Sequence, residues 1–291
     1  MAKAKKIDSQ ALRRRVQGII RRFSGRVGVA ARNLTTGEEL YIREHEQFPT
    51  LSTIRVPMMT ELFFQAHEGK VRLDEKVVIK KSDHRGGTGV LKELSAPLEM
   101  TLRDICIFTI KESDNTASWL EVQRLGKDNI NKRMRSLGLN EVELRSDLSA
   151  SMFTDIQNTD ISSVAVASPA NLMELVSGMA KGTLVSKKAS AEMLDILHRC
   201  NEPEFMGRYL PIDQLPEDTN AKVEAKLSNK TGSFLDGRTD VGLVETERVS
   251  FVLAVMTAEC KDPGYLLFQH EGARTIGRIS QGIYNAWVHG K

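Results

Sequence analysis

Phe48-Pro49-Thr50-Leu51-Ser52-Thr53-Ile54-Arg55-Val56-Pro57-Met58-Met59 places one serine at the beginning of a strongly apolar run. The apolar residues continue through positions 62–64 and occupy nearly every side of a helical projection. A helix that is apolar all round belongs in a protein core. We therefore predict a buried helix from Ser52 to about His67. Its amino terminus would offer free N–H groups and a positive dipole, which suit an oxyanion.

The composition is that of an ordinary globular protein. The chain has 291 residues, of which 41% are hydrophobic and 27% charged, with a net charge of +3. This excess is too small to indicate a nucleic-acid partner, and the basic residues between positions 3 and 22 fit a solvated amphipathic helix. No apolar run is long enough to span a bilayer and no signal peptide is recognisable, so we expect a cytoplasmic protein or, alternatively, an exported form with its leader removed.

The three cysteines, Cys106, Cys200 and Cys260, show neither a pairing framework nor metal-ligand spacing. Cys106 lies among Ile105, Ile107 and Phe108, which favours a buried thiol. No metal and no cofactor are expected.

Strand patterns lie at both ends of the sequence and helical patterns in the middle. Strands are predicted over residues 26–32, 39–42, 223–230, 239–245 and 249–257, and helices over 9–23, 52–67, 101–137 with a break at 112–115, 171 onward, 186–197 and 267–288. The economical arrangement is an antiparallel sheet made from the two ends, flanked by the terminal helices, beside a helical insert. A glycine-rich loop at 82–92 and a polar stretch at 144–168 complete the pattern.

Three short motifs follow one another along the chain: Ser52-Thr53-Ile54-Arg55, Ser113-Asp114-Asn115 and Lys230-Thr231-Gly232. Each is weak alone, and each serine has a structural alternative as a helix cap. Together they resemble the S-x-x-K, S-D-N and K-T-G signatures of class A β-lactamases and penicillin-binding serine hydrolases. The surroundings, such as Asp240-Val241-Gly242-Leu243, are similar to that family as well, over about residues 20 to 290.

The resemblance implies an α/β (α+β) fold, with an antiparallel five-stranded sheet flanked by terminal helices and an all-helical domain. The sheet domain would comprise residues 1–49 and 201–291, the helical domain 50–200, and the active site their interface.

The resemblance also implies a role for each motif residue. Ser52 would be the nucleophile that forms an acyl-enzyme, and its N–H and that of Ser233 would form the oxyanion hole. Ser113 would pass a proton to the leaving nitrogen, and Lys230 would hold Ser113 and attract a substrate carboxylate. Asn115 would bind the amide side chain of a small-molecule substrate and Thr231 its carboxylate, while Gly232 would leave space for it. From its chemistry, Arg238 is either a second carboxylate anchor or a solvated surface arginine.

The chain departs from the family at Arg55, which stands where the S-x-x-K lysine is expected. A buried lysine can lose its charge and accept the serine proton, but a guanidinium stays charged. Arg55 can therefore orient Ser52 or lower its pKa, but it cannot act as the base.

A second departure is the missing glutamate before Ser168-Pro169, which in true class A β-lactamases activates the deacylating water. The acidic residues between positions 145 and 168 are all aspartates, at positions 147, 155 and 160. Lys230 acting through Ser113 is the preferred replacement base. Lys111 and His84 are alternatives, although solvated surface positions describe them better.

Three functions compete. The first is a serine hydrolase acylated at Ser52 by a β-lactam or a related amide or ester, with slow deacylation. The second is a non-catalytic binding protein for a carboxylate-bearing ligand, which an added fixed charge at Arg55 would suit. The third is a penicillin-binding D,D-peptidase-like enzyme, which the absence of a recognisable leader disfavours.

Overall fold

The five-stranded antiparallel sheet predicted from the two ends of the chain is present. The structure, a computed structural model, describes residues 9–149, 160–200, 202–213, 222–261 and 269–291. The sheet contains β1 (Arg26–Asn33), β2 (Glu39–Ile42), β8 (Ala225–Phe234), β9 (Gly237–Thr246) and β10 (Ser250–Ala258). Its order is β2-β1-β10-β9-β8, so that β8 is an edge strand.

The terminal helices cover one face of this sheet. Helix α1 (Ser9–Ile20) buries Leu12 and Val16, and α8 (Glu271–His289) buries the predicted stripe at positions 276, 279, 283 and 287. These side chains join the inward residues of β1 and β10 in one hydrophobic cluster. Helix α6 (Pro169–Ala180) packs on the opposite face, against β1 and β10. Both faces of the central strands are therefore buried, which explains their almost continuous apolar sequence.

Most of the α-helices in the described residues lie in the middle of the chain. Besides α6, the middle of the chain forms α2 (Arg55–His67), α3 (Leu102–Lys111), α4 (Asn115–Leu125), α5 (Lys127–Ser136) and α7 (Lys187–His198), and the chain ends in α8. The predicted break at 112–115 separates α3 from α4. Helix α2 is buried on nearly all sides, as its sequence predicts. Cys106 on α3 is also buried.

The α-helix predicted from Ser52 begins three residues later, at Arg55. Leu51–Ile54 form a 3-10 turn, and Leu51 has a left-handed backbone with φ of 53°. Ser52 thus lies on a tight turn before α2 rather than within its first turn. Two small sheets were also missed because their strands are short: β3 (Phe48–Pro49), β6 (Glu143–Leu144) and β7 (Ala165–Ala167) pair in one, and β4 (Lys76–Ile79) and β5 (Leu98–Thr101) in the other.

The proposed division into two domains at residues 49/50 and 200/201 stays a prediction. Among the described residues, no helix combines the length and hydropathy needed to cross a membrane. Asp155 and the predicted start of the last helix at residue 267 lie outside the described residues.

Candidate active site

Ser52 is partly exposed and lies against the edge strand β8. A Cβ added to Gly232 would come within 2.7 Å of the Ser52 nitrogen, 2.8 Å of the Leu51 Cβ and 2.4 Å of the Thr239 Oγ1. The glycine therefore allows the 3-10 turn to pack directly on the strand. The expectation that Gly232 also leaves space for a substrate beside the strand stays a prediction.

The backbone N–H of Ser233 points away from β9, toward the free edge of the sheet. Ser233 is paired with Arg238 on β9, whose N–H donates to Thr257 Oγ1 and whose carbonyl accepts from it, at 2.9 Å each. The polar backbone groups of Arg238 thus face β10, so its pair with Ser233 is of the non-hydrogen-bonded type. Ser233 consequently directs its N–H toward the free edge, where the turn of Ser52 packs. Within the described residues, the Ser52 N–H also has no acceptor.

Arg55 holds three side chains of α4 and the turn before it. Its Nη1 donates to Ser113 Oγ at 2.5 Å, its Nη2 to Asn115 Oδ1 at 2.6 Å, and its Nε to Ser118 Oγ at 2.6 Å. Ser118 Oγ donates in turn to the Asp114 carbonyl at 2.7 Å. The planar fork of a guanidinium matches three acceptors in fixed directions. Arg55 therefore joins the first motif to the second.

The guanidinium of Arg55 is only 5% exposed and its hydrogen-bond acceptors are all uncharged. Burial lowers its pKa to about 10, and nearby Asp114, Glu121 and Glu202 oppose the decrease. Arg55 thus remains charged at neutral pH. In the described part of the chain it makes no hydrogen bond to Ser52 Oγ, so the expected orientation of Ser52 by Arg55 is not present.

Asp114 fixes the turn that carries Ser113. Its carboxylate accepts from Ala117 N at 3.0 Å as the N-cap of α4, and from Val90 N and Leu91 N at 2.7 and 2.8 Å. These bonds tie the glycine-rich loop to α4. Ser113 itself has a left-handed φ of 51°, a conformation that a non-glycine residue keeps only when its surroundings impose it.

Lys230 is placed differently from the expectation. It is fully buried, and its Nζ donates to the carbonyl of Thr231 at 2.9 Å. Burial lowers the pKa of its ammonium, and the positive charge of Arg55 acts in the same direction. The expected hydrogen bond from Lys230 to Ser113 is absent from the described residues, and the Ser113 hydroxyl accepts from Arg55 instead. The preferred base route through Ser113 is therefore not assembled in this structure.

Thr231 lies on the edge strand β8 and Arg238 on its neighbour β9, and both are buried. The Thr231 hydroxyl donates to the carboxylate of Glu202. Arg238 Nη1 donates to the carbonyls of Phe234 and Gly237, while its buried Nε has no acceptor among the described residues. Burial lowers the pKa of Arg238 to about 10. Arg238 is therefore not the solvated surface arginine of the alternative interpretation.

The other candidate bases, apart from His84, are engaged in local contacts. Lys111, the last residue of α3, pairs with Glu112 at 3.4 Å. Asp147 accepts from Ser149 N at 3.0 Å, and Asp160 accepts from Ser162 N at 3.0 Å. His84 is partly buried, with an Nδ1 that has no partner in the described part of the chain.

Sequence reasoning missed Ser118, Glu121 and Glu202. Asn115, Ser118 and Glu121 follow one another at three-residue spacing, which places them on one face of α4. That spacing was the available signal for Ser118 and Glu121. Glu202 lies in a connection without periodicity, and no signal in the sequence indicated its position.

Sequence and fold together assign the chain to a known class. The profile of the β-lactamase enzyme family matches residues 11–287, so the chain belongs to that family.

Individual relatives agree with this assignment. β-Lactamase CARB-3 of Pseudomonas aeruginosa is 28% identical over 190 residues, which cover 64% of this chain and 65% of that protein. A β-lactamase structure from Sphaerobacter thermophilus gives a TM-score of 0.83 at 26% identity and covers 97% of this chain and 99% of that one. A mutant of PBP-A, solved as an acyl-enzyme complex with penicillin G, gives 0.81 at 22% identity over 96% and 97% of the two chains, a likeness of fold alone.

Proposed function

We propose that the protein is a serine hydrolase that is acylated at Ser52 by a β-lactam or a related amide or ester. The observation that carries this proposal is the packing of the Ser52 turn on Gly232 at the sheet edge. It brings a partly exposed hydroxyl beside two backbone N–H groups, those of Ser52 and Ser233, for which the described residues supply no acceptor. Two such donors aimed at one point stabilise the oxyanion of a tetrahedral intermediate.

Ser113 supplies the proton for the leaving group in this proposal. The cationic Nη1 of Arg55, 2.5 Å from Ser113 Oγ, favours the alkoxide over the hydroxyl and so makes Ser113 a better acid. The same contact leaves the Ser113 proton free for donation to a leaving nitrogen, since the hydroxyl accepts from Arg55. Asn115 is held by Arg55 and by its own Nδ2, which donates to the Gly86 carbonyl at 2.8 Å.

Turnover is expected to be slow. No group in the described residues is hydrogen-bonded to Ser52 Oγ, so the nucleophile has no preassembled base. General base catalysis of one proton transfer contributes about 10²–10⁴-fold. Asp147 and Asp160 are engaged locally rather than directed to Ser52, so neither of these described aspartates is placed to act as the base for deacylation.

A labelled penicillin tests the proposal. Wild-type protein should become covalently labelled, and Ser52→Ala should not. Failure of a series of β-lactams and activated esters to label the wild type would refute acylation.

A second candidate function is supported by the contacts of Arg55. Because its guanidinium is occupied by Ser113, Asn115 and Ser118, the site could hold a ligand without performing proton transfer. In such a binding protein, Ser52→Ala would retain full ligand affinity and the wild type would form no adduct.

A further inference from the structure

The side chain of Glu202 accepts the hydrogen bond of the Thr231 hydroxyl, which was expected to bind a substrate carboxylate. It lies between α7 and β8, is partly exposed, and accepts the hydrogen bond of the fully buried Thr231. A threonine hydroxyl has one proton to donate. Thr231 therefore cannot donate to a ligand carboxylate while it donates to Glu202.

Glu202 is also the carboxylate shared by three buried cations. It acts on the pKa of Arg55, of Lys230 and of Arg238, and none of the other acidic residues acts on all three. In the described part of the chain, no carboxylate lies within ion-pair distance of these cations. Glu202 thus supplies negative charge near all three cations.

We propose that Glu202 is a specificity-determining residue that takes the place of a ligand carboxylate at Thr231. A ligand that is neutral or cationic at this position leaves the Thr231–Glu202 hydrogen bond intact. An anionic ligand must displace Glu202 or lie beside it, and two carboxylates at one site repel each other. The proposal deepens the proposed function, on which it rests, and it reverses the expected preference for a carboxylate.

The substitution Glu202→Gln separates charge from hydrogen bonding. Its amide oxygen still accepts from Thr231, but the negative charge is gone. Glu202→Ala removes both and leaves the hydroxyl free. Glu204→Gln is the matched control, because Glu204 is exposed two residues further along the chain.

The experiment measures binding by calorimetric titration in a Ser52→Ala background, where no acylation interferes. The probes are benzylpenicillin, which carries a carboxylate, and its methyl ester, which does not. Glu202→Gln should tighten benzylpenicillin binding at least tenfold and change ester binding less than twofold. Glu202→Ala should also tighten benzylpenicillin binding and leave ester binding nearly unchanged. Glu204→Gln should change the binding of neither compound.

Equal changes for the acid and the ester would overturn the proposal, as would weaker binding of the acid to Glu202→Gln. Absence of benzylpenicillin binding to both Glu202 variants would also overturn it, because removing the charge should open the position. Failure of the proposed function is distinguishable, since it appears as wild-type protein left unlabelled by activated esters and by the penicillin methyl ester, which Glu202 does not repel, whatever the binding results.

Discussion

At the scale of single residues, Arg55 connects the motifs that surround the serine. A lysine has one nitrogen, whereas the guanidinium reaches Ser113, Asn115 and Ser118 at the same time. Ser118 provides the third acceptor, on the same face of α4 as Asn115. The arginine thus has a structural role in a buried network, which explains how a fixed charge is retained beside the nucleophile.

Arg55→Lys should speed acylation while lowering stability. The ammonium can lose its charge when buried and accept the Ser52 proton, but it cannot reach all three oxygens. Buried oxygens left without a donor cost roughly 1–3 kcal/mol each. Acylation kinetics and urea denaturation measure the two effects. Arg55→Met, which has neither donors nor a base, should lose stability without any gain in rate.

Slower acylation by Arg55→Lys than by the wild type would contradict this interpretation. It would show that the assistance the guanidinium gives to Ser113 outweighs the gain of a base at residue 55.

At the scale of elements, one face of helix α4 places polar and ionisable side chains in the core. Glu121, two turns beyond the Ser113 turn, is fully buried beside the side chains of Cys106 and Thr109. Burial raises its pKa to about 7. Burial has the same effect on Asp240 of β9, whose pKa also rises to about 7.

Because the pKa values of these two carboxyl groups are raised, we predict that the free energy of unfolding falls as the pH rises. The folded state binds a proton on Glu121 more tightly than the unfolded state, so that its contribution is present below pH 4.5 and is lost as the pH rises through about 7. The full effect is on the order of 3 kcal/mol. Glu121→Gln should flatten the slope of unfolding free energy between pH 5 and 8, and Asp240 should account for the slope that remains.

Urea denaturation across this pH range checks the prediction. Glu99→Gln, at an exposed position of β5, is the control and should keep the wild-type slope. An unchanged slope in Glu121→Gln would show that this carboxyl is ionised in the folded protein.

The contact between the Ser52 turn and strand β8 gives a second prediction for an element. Gly232→Ala places a methyl group 2.4 Å from Thr239 Oγ1 and 2.7 Å from Ser52 N, so the turn must move away from the strand. We expect a loss of about 1–3 kcal/mol in stability and of most acylation. Gly18→Ala in α1, where the nearest atom is 3.7 Å away, should be neutral or stabilising by up to about 1 kcal/mol.

Acylation of the Gly232→Ala variant at the wild-type rate would mean that the reactivity of Ser52 does not depend on this packing.

At the scale of the whole molecule, the sheet and its covering helices followed from sequence patterns. Dense apolar strands at both ends and the stripe of α8 are strong signals, because burial of whole faces dictates them. Strands of two or three residues, such as β3 and β7, have too little periodicity to be recognised. The 3-10 turn at Ser52 depends on the left-handed Leu51, which no residue type demands.

The candidate site was predictable in its motifs but not in its contacts. Ser52, Ser113 and Lys230 come from distant parts of the chain, and the fold brings them to one edge of the sheet. Which atom each side chain bonds is a tertiary property. The sequence therefore indicated neither the replacement of the Lys230–Ser113 bond by Arg55 nor the contact of Glu202 with Thr231.

Intact mass spectrometry over time tests the central claim, acylation of Ser52, most directly. Wild-type protein mixed with a series of β-lactams and activated esters should gain one acyl group and retain it through many minutes, since the described residues place no deacylating base at Ser52. Ser52→Ala should show no mass increase. A wild-type protein that stays unmodified with every compound, or an equal adduct on Ser52→Ala, would contradict the account.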